Sequence, residues 1–279
     1  MRNKEKIEIL NSIQIVVTYI SEERIKWIKK QIDDLNILID VHYFRGFTPS
    51  DSKEYILEKH RDFGYAEIDT QICCTRSFAA GVNWFVKNCP HKKYLITMED
   101  DVCFIKEGFV NKIIDAVILY EKTKDEVDYI GIGYLPFDIA TLSSSSRLES
   151  LYYNMYKEVL WTYDSGNKQD PCVWGNQMTL FTSQIANELS LVLHQENTDL
   201  VRLKVEERIN KGFQYSNRAN ILITDHLTPL IFRQGIIYPP LAIEGDYVTL
   251  MGQDNNNLTL DSHKWSKHID LNKYHINKN

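Results

Sequence analysis

Three consecutive acidic residues, Glu99, Asp100 and Asp101, directly follow the apolar segment at residues 94–98. Because side chains alternate along a strand, we expect Glu99 and Asp101 to project to one side and Asp100 to the other. Two carboxylates on one side repel each other, and Mg²⁺ or Mn²⁺ relieves that repulsion because hard cations prefer oxygen ligands. In open α/β sheets, ligands bind outside the carboxyl ends of strands. The segment therefore predicts a metal-assisted site for a phosphorylated substrate, with capping of the next turn or helix as the alternative role of these acids.

The composition is that of an ordinary globular protein. The 279 residues are 43% hydrophobic and 25% charged, which is enough to bury a sizeable core. The formal net charge of −6 argues against a nucleic-acid partner. The five cysteines are odd in number and form no C-x-x-C pair, so they indicate buried thiols in a reducing compartment rather than a disulfide framework or a zinc site.

The ends of the sequence and its apolar runs bear on location. No run approaches the roughly 20 apolar residues of a membrane span, and the charged first residues lack the apolar core of a signal peptide. We expect a cytoplasmic protein, or one that has lost an anchor ahead of its first residue, and leave peripheral membrane contact open. We expect one domain at residues 1–252, followed at residues 253–279 by a polar tail that is partly disordered.

Strand-like and helix-like segments alternate around the acids. Residues 13–18 are a β-branched run typical of a strand, and Ser21 can cap a following helix whose apolar residues recur at helical spacing up to Leu35. The same reasoning predicts further strands at 37–44, 94–98, 129–133, 178–182 and 236–238, and helices at 77–86, 109–120 and 183–193. This order predicts an α/β fold with a doubly wound, mostly parallel sheet.

Several short segments, taken in order, match the pattern of one known family. They are Ile15-Val16-Val17-Thr18 with Ser21-Glu22-Glu23-Arg24, Cys74-Thr75-Arg76-Ser77, Met98-Glu99-Asp100-Asp101-Val102, the strand at 128–133, Gly175 with residues 178–182, Thr224-Asp225, and Ile237-Tyr238-Pro239-Pro240-Leu241. Together they resemble glycosyltransferase family 25, which includes lipooligosaccharide and collagen galactosyltransferases. The resemblance covers residues 13–243 and departs at Phe78 and at Gly175-Asn176-Gln177, where the family has histidine.

The resemblance implies a GT-A fold and a metal-dependent, inverting transfer of a hexose from a UDP-sugar to a hydroxyl of a glycan or glycoprotein. In that reading, Asp101 coordinates Mn²⁺ or Mg²⁺, and Glu99 contacts the metal or the donor ribose. His263 and His226 are rival further ligands, with an exposed surface histidine as the alternative for each. The residues placed at the donor are Thr18, Arg24, Ser77, Glu99 and Asp100. Arg24 suits a diphosphate because a guanidinium makes forked phosphate contacts, and a solvated first-turn residue is its alternative role.

An inverting transfer needs a group that accepts the proton of the attacking hydroxyl. Asp225 is the expected base because it follows the apolar run 221–223 and matches the Val-Asp element of the family. Its alternative role is to cap a helix that begins near His226.

Two other classes of protein stay open. A metal-dependent phosphohydrolase or nucleotidyltransferase would need further acids at other strand ends, for which Asp69, Asp128 and Asp225 are the candidates. A catalytically silent carbohydrate-binding relative would be expected to lose the acids before the fold, and all three acids are present.

Overall fold

The computed structural model describes residues 2–48, 69–136, 147–149, 154–157, 173–193, 231–244 and 270–275, with single positions at 200, 203–204, 206–207, 210 and 228. Its α-helices are α1 Asn3–Asn11, α2 Glu22–Asp34, α3 Asp69–Asn88, α4 Phe109–Thr123 and α5 Ser183–Val192. Its strands are β1 Ile13–Tyr19, β2 Asp40–Arg45, β3 Tyr94–Glu99, β4 Val102–Phe104, β5 Tyr129–Pro136, β6 Arg147–Glu149, β7 Asn154–Lys157, β8 Val173–Thr182, β9 Gln234–Tyr238 and β10 Ala242–Glu244. The described residues also include a 3-10 turn at Leu271–Lys273.

The strands form one mixed sheet in the order β2-β1-β3-β8-β5-β9-β7-β6, and β10 joins β4 to β5. Strand β1 is parallel to β2 and β3, and β5 is parallel to β9. Strand β8 runs antiparallel between β3 and β5. The predicted α/β class is therefore confirmed, but the prediction of a mostly parallel sheet is wrong. In the described part of β8, Met178 and Leu180 are buried on one face and Phe181 on the other, so the apolar residues do not reveal the direction of the strand.

Helices cover both faces of the sheet, as the alternation of buried residues requires. On one face, Ile15 and Ile96 pack with residues of α1, α2 and α4. On the other face, Val16, Leu95 and Phe181 pack with residues of α3 and α5. The central strands β1, β3 and β8 are therefore packed on both faces.

Local signals explain how α2 is delimited. The Ser21 hydroxyl accepts a hydrogen bond from the Arg24 backbone nitrogen at 3.4 Å, which confirms the predicted cap. The helix ends where Asn36 adopts a left-handed conformation with φ of 47°, which asparagine tolerates better than most residues. Helix α3 begins at Asp69, eight residues before the predicted start at residue 77.

Residues 270–275 pack against the strand that follows the acids. Tyr274 is buried and forms a β-bridge with Ile105, and its hydroxyl donates to the Pro240 carbonyl at 2.7 Å. This part of the segment predicted to be a polar tail therefore belongs to the described fold. Within the described ranges, no helix has the length and apolar character needed to cross a membrane.

Candidate functional site

The acidic triplet lies at the carboxyl end of β3, in the middle of the sheet. Strand β3 ends at Glu99, Asp100 and Asp101 form a turn, and β4 begins at Val102. Glu99 pairs with Thr18 of the parallel strand β1, so both residues reach the same edge. The predicted alternation of side chains holds only up to Glu99, because the strand geometry on which it depends stops there.

Asp100 is buried and anchors the turn between β1 and α2. Its Oδ2 accepts hydrogen bonds from the backbone nitrogens of Ile20 at 2.9 Å and Ser21 at 3.3 Å. Its Oδ1 accepts from Arg24 Nη1 at 3.1 Å. Both oxygens are thus engaged inside the protein, and this contact set gives Asp100 an anchoring role. Its predicted contact with a donor stays a prediction.

Asp101 has one engaged and one unengaged oxygen. Its Oδ2 lies 3.5 Å from Arg24 Nη1, and the side chain is 15% exposed. Its Oδ1 is buried and has no hydrogen-bond partner among the described residues. Burial raises the pKa of Asp101 to about 6, against the opposing charge of Arg24. A buried carboxylate oxygen without a partner is costly, and a cation is one group that would satisfy it.

Arg24 lies between the acids rather than in solvent. Its guanidinium is buried and contacts both Asp100 and Asp101. Burial alone would lower the pKa of Arg24, but the charges of Asp101, Asp100 and Glu99 outweigh burial and raise it. The alternative role as a solvated first-turn residue is therefore wrong. The predicted contact with a diphosphate stays a prediction, and this guanidinium already neutralises part of the acidic charge.

Ser77 belongs to α3, and Thr18 lies on the face of the sheet that α3 covers. The Ser77 hydroxyl donates to the Cys73 carbonyl at 2.7 Å and accepts from the Phe47 backbone nitrogen at 2.7 Å, so it fixes the loop after β2. The approach is close enough that a Cβ on Gly46 would lie 2.8 Å from Ser77 Oγ. Thr18 Oγ1 faces Gly81 of α3, 3.4 Å from where a Cβ would stand. Both residues lie near the predicted donor edge.

The structure brings together Thr18, Arg24, Glu99, Asp100 and Asp101 at one edge. The predicted base Asp225 and the predicted metal ligands His263 and His226 lie outside the described residues, so their placement stays a prediction. Within the described part of the chain, no three His, Cys, Asp or Glu side chains are grouped to hold a metal. A metal ion held by the described carboxylates would therefore need at least one further ligand from outside the described residues.

Gln177 of β8 is a further buried polar residue at this edge, and the sequence alone does not identify it as a site residue. It is 5% exposed, and its Oε1 has no hydrogen-bond partner among the described residues. The signal in the sequence is only its place in the Gly175-Asn176-Gln177 segment, where the chain departs from the family 25 pattern.

Comparisons with known proteins give distant likenesses only. No family model matches the sequence, and no curated protein matches it significantly. Among solved structures, the chain is similar to a glycosyltransferase involved in the glycosylation of the major capsid of PBCV-1, with 10% identity and a TM-score of 0.38 over 85% of this chain and 94% of that one. It is also similar to mannose-1-phosphate geranyltransferase from Thermus thermophilus, with 10% identity and a TM-score of 0.39 over 81% of this chain and 73% of that one. At these values, neither likeness carries an argument about activity.

Proposed function

We propose that this chain is a metal-dependent, inverting glycosyltransferase that moves a hexose from a UDP-sugar to a hydroxyl of a glycan or glycoprotein. The observation that carries the proposal is the unpartnered Oδ1 of Asp101, buried next to the carboxyl end of the central strand β3. The resemblance of the ordered segments to glycosyltransferase family 25 supports the same reading.

Glu99 and Asp101 would hold Mn²⁺ or Mg²⁺, with His263 as the third ligand. Carboxylate oxygens suit these hard cations, and the unpartnered oxygen of Asp101 fits such a ligand. When bound, the cation neutralises charge that builds up on the departing diphosphate. Arg24 cannot supply all of that charge, because its guanidinium is shared between Asp100 and Asp101.

The other residues position the donor and move a proton. Asp100 accepts hydrogen bonds from the backbone nitrogens of Ile20 and Ser21, and these bonds hold the acid turn next to the start of α2. Asp225 would accept the proton of the acceptor hydroxyl as its oxygen bonds to the anomeric carbon and the bond to the diphosphate breaks. The role of Asp100 follows from its contacts at the edge where ligands bind α/β sheets, and the role of Asp225 rests on the resemblance to family 25 and on carboxylate chemistry.

The alternative of a two-metal phosphohydrolase or nucleotidyltransferase loses one of its candidate acids. Asp128 precedes β5, at the end opposite the acid turn, because β5 is parallel to β3 through β8. Its carboxylate is paired with Arg233, with Nη2 to Oδ1 at 2.7 Å and Nε to Oδ2 at 3.1 Å. A second metal at the acid edge would therefore not use Asp128.

The experiment that tests the proposal is a panel of UDP-galactose, UDP-glucose, UDP-N-acetylglucosamine and GDP-mannose, with release of the nucleoside diphosphate measured in MnCl₂ and in excess EDTA. The proposal predicts release from at least one UDP-sugar, lost in EDTA and restored by Mn²⁺. Full turnover in excess chelator would exclude the metal role. Binding without turnover would favour the silent carbohydrate-binding relative.

A further inference from the structure

Gln177 lies one residue beyond the last pair of the ladder between β8 and β3. The final pair of that ladder is Met98 with Met178, so Gln177 is the next residue on β8 and Glu99 the next on β3. Alternation along β8 places Gln177 on the same face as Thr179 and Phe181, and Phe181 packs with residues of α3 and α5. Gln177 therefore lies beside Glu99, on the face that these two helices cover.

Thr18 continues the same line on the neighbouring strand. It pairs with Glu99, and its hydroxyl faces α3 at Gly81. Thr18, Glu99 and Gln177 thus form a row across β1, β3 and β8, which we call the edge row. Since neighbouring strands lie about 4.8 Å apart, the edge row spans about 10 Å.

All three side chains of the edge row can accept hydrogen bonds, and those of Thr18 and Gln177 can also donate. A glutamate carboxylate accepts only, a threonine hydroxyl both donates and accepts, and the Gln177 Oε1 is an acceptor. The Oε1 is buried without a partner in the described ranges, so a group that donates to it would satisfy it. A diphosphate offers only acceptors and therefore cannot satisfy this oxygen, whereas the hydroxyl of a sugar can donate to it.

We propose that Gln177 accepts a hydrogen bond from a hydroxyl of the carbohydrate part of the donor, and that it thereby contributes to donor specificity. This inference rests on the proposed function, because it takes a nucleotide sugar as the ligand of this edge. The hydroxyl belongs to either the ribose or the transferred sugar, which share this chemistry.

The test compares Gln177→Met, which removes the amide and keeps the length, with the same substitution at Gln234. Gln234 is also buried and pairs with Tyr129 at the opposite end of the sheet, which makes it a matched control. Binding of UDP-galactose and of UDP, each in MnCl₂, is measured by titration calorimetry, and thermal unfolding is recorded for each variant. UDP-glucose and UDP-N-acetylglucosamine replace UDP-galactose if the wild type prefers one of them.

We expect Gln177→Met to weaken UDP-sugar binding about five- to tenfold, the usual effect of one lost hydrogen bond, with Gln234→Met unchanged. A matching loss for UDP assigns the hydroxyl to the ribose, and unchanged UDP binding assigns it to the transferred sugar. We also expect little change in the unfolding temperature of Gln177→Met, because methionine fills the same buried position and the Oε1 that is removed has no partner among the described residues.

Two results would overturn the inference alone, namely UDP-sugar binding by Gln177→Met as tight as by the wild type, or an equal weakening of binding by Gln177→Met and Gln234→Met, which would assign the loss to packing. If the wild-type protein binds none of these nucleotide sugars, the proposed function fails and the inference fails with it.

Discussion

Replacement of Asp100 by alanine tests whether the acid turn is built around an internal anchor. The substitution removes one carboxylate that accepts from two backbone nitrogens, those of Ile20 and Ser21, and from the Arg24 guanidinium. The Asp100 side chain is 6% exposed, so solvent screens these interactions little. The perturbation therefore leaves two backbone donors and one buried cation without their main acceptor.

The magnitude follows from these contacts. Removal of one partner of a buried ion pair costs about 3–5 kcal/mol, because the other charge is left uncompensated. Arg24 keeps Asp101 at 3.5 Å, which places the expected loss near the lower end, at about 3 kcal/mol. Asp100→Asn keeps one acceptor oxygen and should lose about half as much, since it gives up the charge but not all of the hydrogen bonds.

The assay is equilibrium unfolding in urea, followed by tryptophan fluorescence. The matched control is Glu23→Ala, which removes an equal charge from the exposed first turn of α2 and should cost less than about 1 kcal/mol. A free energy of unfolding for Asp100→Ala that is no lower than that for Glu23→Ala would refute the anchoring role. The packing of α2 itself would then be what stabilises the turn before this helix.

Three further outcomes are expected. Burial lowers the pKa of His42, which stacks on Trp84, so its neutral form stabilises the fold above pH 6.5 and that contribution is lost as the pH falls. Between pH 7.5 and pH 5.5, the unfolding temperature of the wild type should therefore fall by more than that of His42→Phe. An equal fall in both proteins would contradict this. Asp128→Asn should leave turnover unchanged because Asp128 pairs with Arg233 away from the acid edge, and a large loss in the transfer assay would revive the two-metal alternative. Asp225→Asn should lower turnover by about 10²–10⁴-fold with donor binding unchanged, whereas a capping residue would tolerate the change.

The sequence was sufficient for the features that local chemistry decides. The Ser21 cap, the helical stripe after it and the apolar strand that ends at Glu99 follow from propensity and periodicity, and the structure confirms each of them. The place of the acids at the carboxyl end of a central strand follows from the same local pattern.

The remaining features depend on contacts between distant residues. The direction of β8 is not encoded in its composition, because a strand buried on both faces is apolar whichever way it runs. The engagement of Asp100 joins residues 20–24 to residue 100, a contact that no local pattern indicates. The unpartnered Oε1 of Gln177 is visible only after β8 is paired with β3.

The most direct test of the central claim is a titration of free Mn²⁺ by electron paramagnetic resonance against wild-type protein and Asp101→Asn, both in the presence of UDP. Asp101→Asn should fold normally, because burial already disfavours the Asp101 charge and raises its pKa to about 6, and Arg24 keeps its closer ion pair with Asp100. We predict that the wild type binds Mn²⁺ and that the variant binds it at least about tenfold more weakly, a difference of about 1.4 kcal/mol. Equal Mn²⁺ affinity of the two proteins, or no binding by the wild type, would contradict a metal held at Asp101.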